Sequence, residues 1–170
     1  AEVSEALDLK SRGHGELCMG EVHGTRPEGF DFGNSPFELS EADVEGKALI
    51  QSTRAGTVGV AAAGDADHIY GGPLVVAAAT TRAILQMSPD VVSLVAMGWE
   101  GNTRTDEDEQ CALYMRNLLQ GRRPDVEAVR QLVLAGGESQ KYGDASQPQF
   151  HPNDRDIALR VDAFPFAIRI

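Results

Sequence analysis

Hydrophobic residues follow two alternating periods along the chain, one typical of helices and one of buried strands. Helical spacing predicts helices over 2–10, 58–63, 74–87, 105–120, 124–134 and 153–159. Short apolar runs predict strands at 17–19, 48–50, 68–70 and 91–97, and the last of these is the clearest. Residues 161–170 are also β-prone, with Pro165 marking a bulge or an edge.

Strands that alternate with helices predict an α/β fold. We expect three layers, a mostly parallel central sheet with helices on both of its faces. Residues 20–39 and 135–149 lack periodicity and predict a long loop and a flexible connection. No repeat or linker divides the sequence, so residues 1–170 are expected to form a single α/β domain.

Composition narrows the class of protein. Of the 170 residues, 42% are hydrophobic and 24% are charged, which is typical of a globular protein. The net charge of −11 disfavours nucleic acid and anionic membranes as partners, and no apolar run has membrane-spanning length. The first residues do not resemble a secretion signal, so we expect a cytoplasmic protein whose Cys18 and Cys111 are free thiols.

The first polar segment that could carry chemistry follows the strand at 17–19. Carboxylate and amide oxygens on a glycine-rich loop are the ligands that Mg²⁺ prefers. The alternative is a solvated loop in which Asp31 and Asn34 make side-chain turns. The polar residues of this loop are Glu21, His23, Arg26, Glu28, Asp31 and Asn34.

The second segment lies between the strand at 48–50 and the helix that follows it. Hydroxyls, an arginine and backbone N–H groups at a helix N-terminus suit an anion such as phosphate. The alternative is an ordinary helix cap by Ser52 or Thr53, with Arg54 in solvent. The spacing and the lysine of a P-loop are absent.

The third segment is the start of the helix at 105–120. Asp108 lies at the head of the apolar stripe of this helix and is flanked by Glu107. A carboxylate on the buried side of a first turn needs a partner, which a metal ion or a catalytic proton could supply. The alternative is a capping box between Thr105 and Asp108.

Taken together, these segments resemble the magnesium-dependent 2-phosphosulfolactate phosphatases of coenzyme M biosynthesis. The most specific match is Gly-Phe-Asp-Phe-Gly-Asn-Ser-Pro at 29–36. Weaker matches are Gly-Glu at 20–21, Ser-Thr-Arg-Ala-Gly-Thr at 52–57, Glu-Asp at 107–108 with Cys-Ala at 111–112, and the stretch 156–165.

The resemblance implies an α/β phosphatase that uses Mg²⁺ to hydrolyse the phosphate ester of a small 2-hydroxy acid. Metal-activated water is then the simplest nucleophile. The implied catalytic groups are Glu21, Asp31 and Asp108, and the implied metal ligands are Glu21, Asp31, Glu107 and Asp108. The implied contacts to the phosphorylated substrate come from Arg26, Asn34, Ser52, Thr53, Arg54, Gly56 and Thr57.

The sequence also departs from the family pattern. Family members carry an aspartate-led strand and an Arg-Ala-Thr-Thr turn before the first matching words, and an asparagine where Ala55 stands. The chain could therefore be the C-terminal part of a longer family domain. The alternative function is a truncated or degenerate member that binds a small phosphorylated acid, or assembles with itself, without turnover. A sheet edge left open by a missing strand could be covered in a homodimer.

Overall fold

The computed structural model of the protein describes residues 2–99, 101 and 103–170. The chain divides into two compact units, the first formed by the chain up to Thr57 with Tyr142–Ile157 and the second by Val58–Lys141 with Ala158–Ile170. The helices are α1 (Val3–Ser11), α2 (Pro36–Ser40), α3 (Ala55–Ala62), α4 (Ala77–Met87), α5 (Asp106–Leu119), α6 (Val126–Ala135) and α7 (Pro152–Ala158). The strands are β1 (Leu17–Gly20), β2 (Leu49–Ser52), β3 (Tyr70–Gly71) and β4 (Ile168–Arg169).

The first unit is built on β1 and β2, which pair in parallel with Leu17 opposite Leu49 and Gly20 opposite Ser52. At the end of β1 only glycine fits, because Gly20 has a φ of +151° and a Cβ there would lie 2.0 Å from the Ser52 carbonyl oxygen. Helix α1 buries its apolar face against this pair. The small core that results contains Ala6, Cys18 and Phe30, with Val3, Leu7 and Ile50 packed around it.

The second unit is organised around α4, α5 and α6. Apolar side chains at helical spacing on these helices meet in one core, which is the larger of the two clusters described. This core contains Leu74, Ala77, Tyr114, Met115, Val129, Val133 and Leu159. Strands β3 and β4 form an antiparallel pair in the same unit, with Tyr70 opposite Arg169.

The helical periodicity predicted most of the helices correctly. Helices α1, α4, α5, α6 and α7 lie where the spacing places them, with ends that differ by at most three residues. Helix α6 begins later than predicted because the Asp125 carboxylate accepts hydrogen bonds from the N–H groups of Glu127 and Ala128, which makes Asp125 the N-cap. Short α2 interrupts the predicted loop, since Ser35 caps it and Pro36 occupies its first position.

The sheet differs from the expectation. The described strands form one parallel pair and one antiparallel pair, so the protein mixes helices and strands, but a three-layer arrangement with a central sheet is not found. The predicted strand at 91–97 is wrong: this run has no regular structure, and Val91 and Val95 are 78% and 73% exposed. A β-prone sequence becomes a strand only when a neighbouring strand takes its hydrogen bonds, and no described strand pairs with this one.

Two smaller expectations concern sulfur and membranes. Cys18 and Cys111 are both free, as predicted. None of the described helices has the length and apolar character needed to cross a membrane.

Candidate functional site

The loop after β1 is tied back to its own unit through Asp31. Its Oδ2 atom accepts hydrogen bonds from the Cys18 backbone N–H at 2.7 Å and from Lys10 Nζ at 2.5 Å. The bond from Lys10, and secondarily the Cys18 N–H, hold the pKa of Asp31 below its ordinary value. One oxygen of this predicted metal ligand is therefore occupied by protein donors.

The other predicted residues of this loop stand at its surface or make local contacts. Glu21 Oε2 accepts a hydrogen bond from the Gly24 N–H at 2.8 Å. Arg26 is exposed, and its Nη1 donates to the Asp31 carbonyl at 3.2 Å and lies 3.5 Å from Glu38 Oε1. Asn34 is exposed. The loop thus brings Arg26 beside the Asp31 backbone and leaves its guanidinium accessible to an anion.

Asp154 anchors the motif at 29–36 and was missed by the sequence reasoning. Its Oδ1 atom accepts hydrogen bonds from the Ser35 hydroxyl at 2.6 Å and from the Phe37 N–H at 2.9 Å, and only 6% of the residue is exposed. Ser35 Oγ in turn accepts from the Glu38 N–H at 3.0 Å, which caps α2. No spacing rule could have joined Ser35 to Asp154, because 119 positions separate them.

The segment 52–57 leads from β2 directly into α3. Ser52 is buried, Arg54 immediately precedes the helix, and Arg54 and Gly56 are exposed. The Thr57 hydroxyl donates a hydrogen bond to the Thr53 carbonyl. The first N–H groups of a helix have no partner within the helix, and the N–H of Gly56 is one of these. Arg54, the residue just before the helix, lies at the same end of α3. This end of α3 combines donors that suit an anion.

The first turn of α5 is held by a bond that the sequence did not predict. Thr105 occupies the N-cap position but makes no side-chain cap hydrogen bond, so the alternative of a Thr105–Asp108 capping box is not formed. Instead, Asp108 Oδ2 accepts from the Gly98 N–H at 2.7 Å. Gly98 has a φ of +64°, and a Cβ there would lie 2.0 Å from the Thr103 carbonyl oxygen. The partner that Asp108 needs is thus a tight turn that only glycine can form.

Asp106 fixes the same turn from another side. Its Oδ2 atom accepts from the Gly137 N–H at 2.7 Å, and its Oδ1 atom accepts from the Glu107 N–H at 3.0 Å. A Cβ at Gly136 would lie 1.8 Å from Asp106 Oδ2. The carboxylates at positions 106 and 108 are therefore both held by backbone N–H groups of loops in the same unit.

Glu107 lies between Asp106 and Asp108 in the sequence, and its carboxylate is partly buried. Its Oε2 atom is buried and has no hydrogen-bond partner among the residues that the structure describes. Burial raises the pKa of Glu107 above its ordinary value, and the neighbouring Asp106 and Asp108 raise it further, while the Glu107 backbone and the Thr105 side chain offset part of this rise. A bound cation would relieve both effects, because it would compensate the desolvated charge and the repulsion between the carboxylates.

These residues fit a magnesium ion better than the loop carboxylates do. Mg²⁺ is commonly bound through one or two carboxylates together with water and substrate phosphates. Glu107 and Asp108 can supply those carboxylates. Across residues 2–99, 101 and 103–170, no group of three or more His, Cys, Asp or Glu side chains is arranged to hold a metal ion. The remaining ligands of a metal at α5 would then come from outside that set of side chains.

Comparison of the sequence with known proteins shows which family the chain belongs to. The sequence profile described as 2-phosphosulpholactate phosphatase matches residues 1–145. A probable 2-phosphosulfolactate phosphatase of Clostridium acetobutylicum is 36% identical over 126 residues, which are 74% of this chain and 53% of that protein. The protein of the same description from Parasynechococcus marenigrum is 38% identical over 110 residues, covering 61% of this chain and 43% of the relative.

A more distant relative extends the match. The probable 2-phosphosulfolactate phosphatase of Thermoplasma acidophilum is 28% identical over 169 residues, 95% of this chain and 69% of its own length. The chain spans about half the length of the two bacterial relatives described above, 53% of one and 43% of the other. The resemblance noted in the sequence is confirmed, and the chain belongs to the 2-phosphosulfolactate phosphatase family.

Proposed function

We propose that this protein is a Mg²⁺-dependent phosphatase that hydrolyses the phosphate ester of 2-phosphosulfolactate. The observation that carries the proposal is the acidic first turn of α5, where Glu107 has a buried carboxylate oxygen without a described partner. Family membership supports the reaction class and the substrate. The match to named phosphatases in several organisms supports the same reading.

In this proposal Glu107 and Asp108 hold the metal ion. Mg²⁺, when bound, supplies positive charge to the phosphoryl oxygens and lowers the pKa of water. Asp106 is given a structural role in this proposal, because each of its two oxygens accepts a backbone hydrogen bond, from the Gly137 N–H and from the Glu107 N–H. Asp108 keeps one oxygen for the cation, since Gly98 occupies the other. The two backbone anchors hold the turn in place while substrate arrives.

The first unit carries the anion-binding groups predicted from the sequence. Arg54 and the N–H groups of Gly56 and Thr57 would hold phosphate or sulfonate, supported by the hydroxyls of Ser52 and Thr53. Arg26 would bind a second anionic group, because its guanidinium is exposed. The remaining roles are those of Asn34 in orienting substrate, Glu21 as an acid, base or ligand, and Asp31 in holding the loop.

The chemistry is a displacement at phosphorus by water. The oxygen of water forms a bond to phosphorus while the ester P–O bond breaks, and a proton reaches the departing alkoxide to give sulfolactate and inorganic phosphate. A neighbouring carboxylate can accept the proton from water.

The test is the release of inorganic phosphate from 2-phosphosulfolactate and from 2-phospholactate, with Mg²⁺ and with EDTA. We expect release only with Mg²⁺. Glu107→Gln and Asp108→Asn should each lower kcat/KM about a hundredfold or more, since each removes a charge at the proposed metal. Asn at 108 can still accept the Gly98 N–H, so the turn itself is kept.

Glu127→Gln is the matched control, because it makes the same change in the first turn of a different helix. Glu127 is exposed and pairs only locally with Arg130 and Gln131 in the described contacts. Its kcat/KM should stay within about twofold of the parent. Binding of the ester without any phosphate release would overturn the proposal in favour of a binding protein. Phosphate release that persists in EDTA would show that the reaction does not need a metal ion.

A further inference from the structure

Asp162 links three parts of the second unit, and the proposed function does not use it. Its Oδ1 atom accepts from the Ala78 N–H at 2.6 Å, and its Oδ2 atom accepts from the Tyr114 hydroxyl at 2.6 Å. Its own N–H donates to the Leu74 carbonyl at 2.9 Å. One carboxylate near the end of the chain therefore contacts the start of α4 and the middle of α5.

The contact with α4 replaces a cap that the local sequence does not provide. Val76 occupies the N-cap position of α4 and has no side chain that can cap a helix. Asp162 supplies the missing acceptor from 84 positions away along the chain. Its φ of +56° is a conformation that Asp adopts more readily than most residues. The backbone is thus held in an unusual state that aims the carboxylate at the helix.

The contact with α5 is one of three that follow one another at three-residue intervals along that helix. Tyr114 is 4% exposed, and burial together with Asp162 raises its pKa, so the hydroxyl stays a donor. One turn earlier, the Cys111 thiol donates to the Gly72 carbonyl at 3.0 Å. Burial raises the pKa of Cys111 to about 12, which keeps this donor protonated. Asp108, bound to Gly98, lies one turn earlier again.

This spacing matters because residues three apart are neighbours on a helix surface, offset by about 60° around its axis. Tethers at positions 108, 111 and 114 therefore form a row that winds about 120° around α5, and together they fix both its rotation and its axial position. The tether at 114 differs from the other two, because its partner is the side chain of Asp162, whereas Asp108 and Cys111 bind backbone groups. It is also the tether farthest from the acidic first turn, so it can act there only through the helix.

We propose that Asp162 is a positioning residue that acts through Tyr114 to set the place of the α5 first turn, and with it Glu107 and Asp108. Only the expected effect on metal binding rests on the proposed function. The position of the turn can be measured without any metal, through the hydrogen bond between Asp108 and the Gly98 N–H.

Three variants separate the contacts. Tyr114→Phe removes only the hydroxyl. Asp162→Ala removes both acceptors. Asp162→Asn can keep both partners, because the amide oxygen can accept from Ala78 and the amide N–H can donate to the tyrosine oxygen. We therefore expect Asn at 162 to rescue most of what Ala at 162 loses.

The first readout is amide hydrogen exchange at Gly98 in the metal-free chain. Tyr114→Phe and Asp162→Ala should speed exchange at Gly98 about tenfold relative to amides in α6, and Asp162→Asn by much less. The second readout is titration with Mn²⁺ as a probe of the metal site. The same two variants should raise the Kd for Mn²⁺ about fivefold or more, and Asp162→Asn should leave it near the parent value.

Val129→Ala is the control for a purely structural effect, because it removes buried volume from the same core without touching any tether. It should lower stability yet leave the relative Gly98 exchange and the Mn²⁺ affinity unchanged. The inference is overturned if Tyr114→Phe behaves as Val129→Ala does. If the parent chain binds no Mn²⁺, the metal in the proposed function fails, while the exchange measurement still decides the role of Asp162.

Discussion

At the scale of single residues, two carboxylates that the sequence predicts as metal ligands have opposite environments. Asp31 accepts Lys10 Nζ and the Cys18 N–H on one oxygen, and its pKa falls as a result. Glu107 is partly buried beside Asp106 and Asp108, and its pKa rises. The first carboxylate is stabilised as an anion by its own unit, whereas the second still needs a positive partner. This contrast, more than residue type, separates a structural acid from a proposed metal ligand.

The Lys10–Asp31 pair gives the first prediction. Lys10→Met should lower the free energy of unfolding by about 1 kcal/mol at neutral pH, because it removes a charge-assisted hydrogen bond that is only partly exposed. The depressed pKa of Asp31 contributes stability above its ordinary pKa of 3.8, and that contribution is lost as pH falls from there through the folded value. The parent should therefore lose more stability than the variant between neutral pH and acid.

Urea unfolding at neutral pH and in acid measures this difference. Lys47→Met is the matched control, because Lys47 pairs with Asp43, whose side chain is 90% exposed. That change should cost less than about 0.5 kcal/mol at either pH. Equal losses in the two variants, or a Lys10→Met loss that persists at low pH, would contradict the assignment.

At the scale of elements, α2 shows how a short helix can depend on a distant residue. Five residues are too few to form a helix unaided, so the caps decide whether α2 exists. Ser35 caps it from the N-terminal side, and Asp154 holds both the Ser35 hydroxyl and the Phe37 N–H. The motif at 29–36 thus takes its shape from α7 as well as from its own sequence.

This dependence gives a second prediction. Asp154→Ala leaves the Ser35 hydroxyl and the Phe37 N–H without their acceptor and should cost about 2–3 kcal/mol of unfolding free energy. Asp154→Asn retains an oxygen in the place of Oδ1 and should cost about 1 kcal/mol or less. Thermal unfolding of both variants beside the parent measures the difference. Equal losses would show that the negative charge, and not the acceptor geometry, is what α2 requires.

The elements also show what the sequence could and could not predict. Helical spacing located α5 and α6, because an apolar stripe on a helix is a local pattern. The run at 91–97 was predicted as a buried strand, but it is irregular and mostly exposed, with only Leu94 packed against the larger core, since strand formation depends on a partner that composition does not name. At the candidate site, the acids at 106–108 were visible in the sequence. Their anchors at Gly98 and Gly137 were not, because contacts between loops leave no local pattern.

At the scale of the whole molecule, net charge and proposed substrate have the same sign. The chain carries −11, and 2-phosphosulfolactate bears a phosphate, a sulfonate and a carboxylate. Long-range repulsion should slow their encounter, and local donors such as Arg54 and Arg26 must overcome it. The balance between the two depends on ionic strength, because salt screens distant charges more than those in contact.

The third prediction follows from this balance. Raising the ionic strength from about 0.01 M to about 0.15 M at constant free Mg²⁺ shortens the screening length from about 30 Å to about 8 Å. The KM for 2-phosphosulfolactate should fall about twofold, and that for the less charged 2-phospholactate should change less. Steady-state phosphate release at several KCl concentrations measures both. A KM that rises with salt would mean that a local basic surface dominates the encounter.

The exposed run at 91–97 has a consequence for how copies of the chain behave at high concentration. Its residues, Val-Val-Ser-Leu-Val-Ala-Met, are β-prone and include no charge and no proline. Segments of about six or seven residues with that composition have the sequence signature of cross-β stacking. Asp90 is the charge that borders the run on its N-terminal side and opposes such stacking. This run is therefore the segment of the chain at which we expect copies to associate first at high concentration, and the net charge of −11 opposes that association.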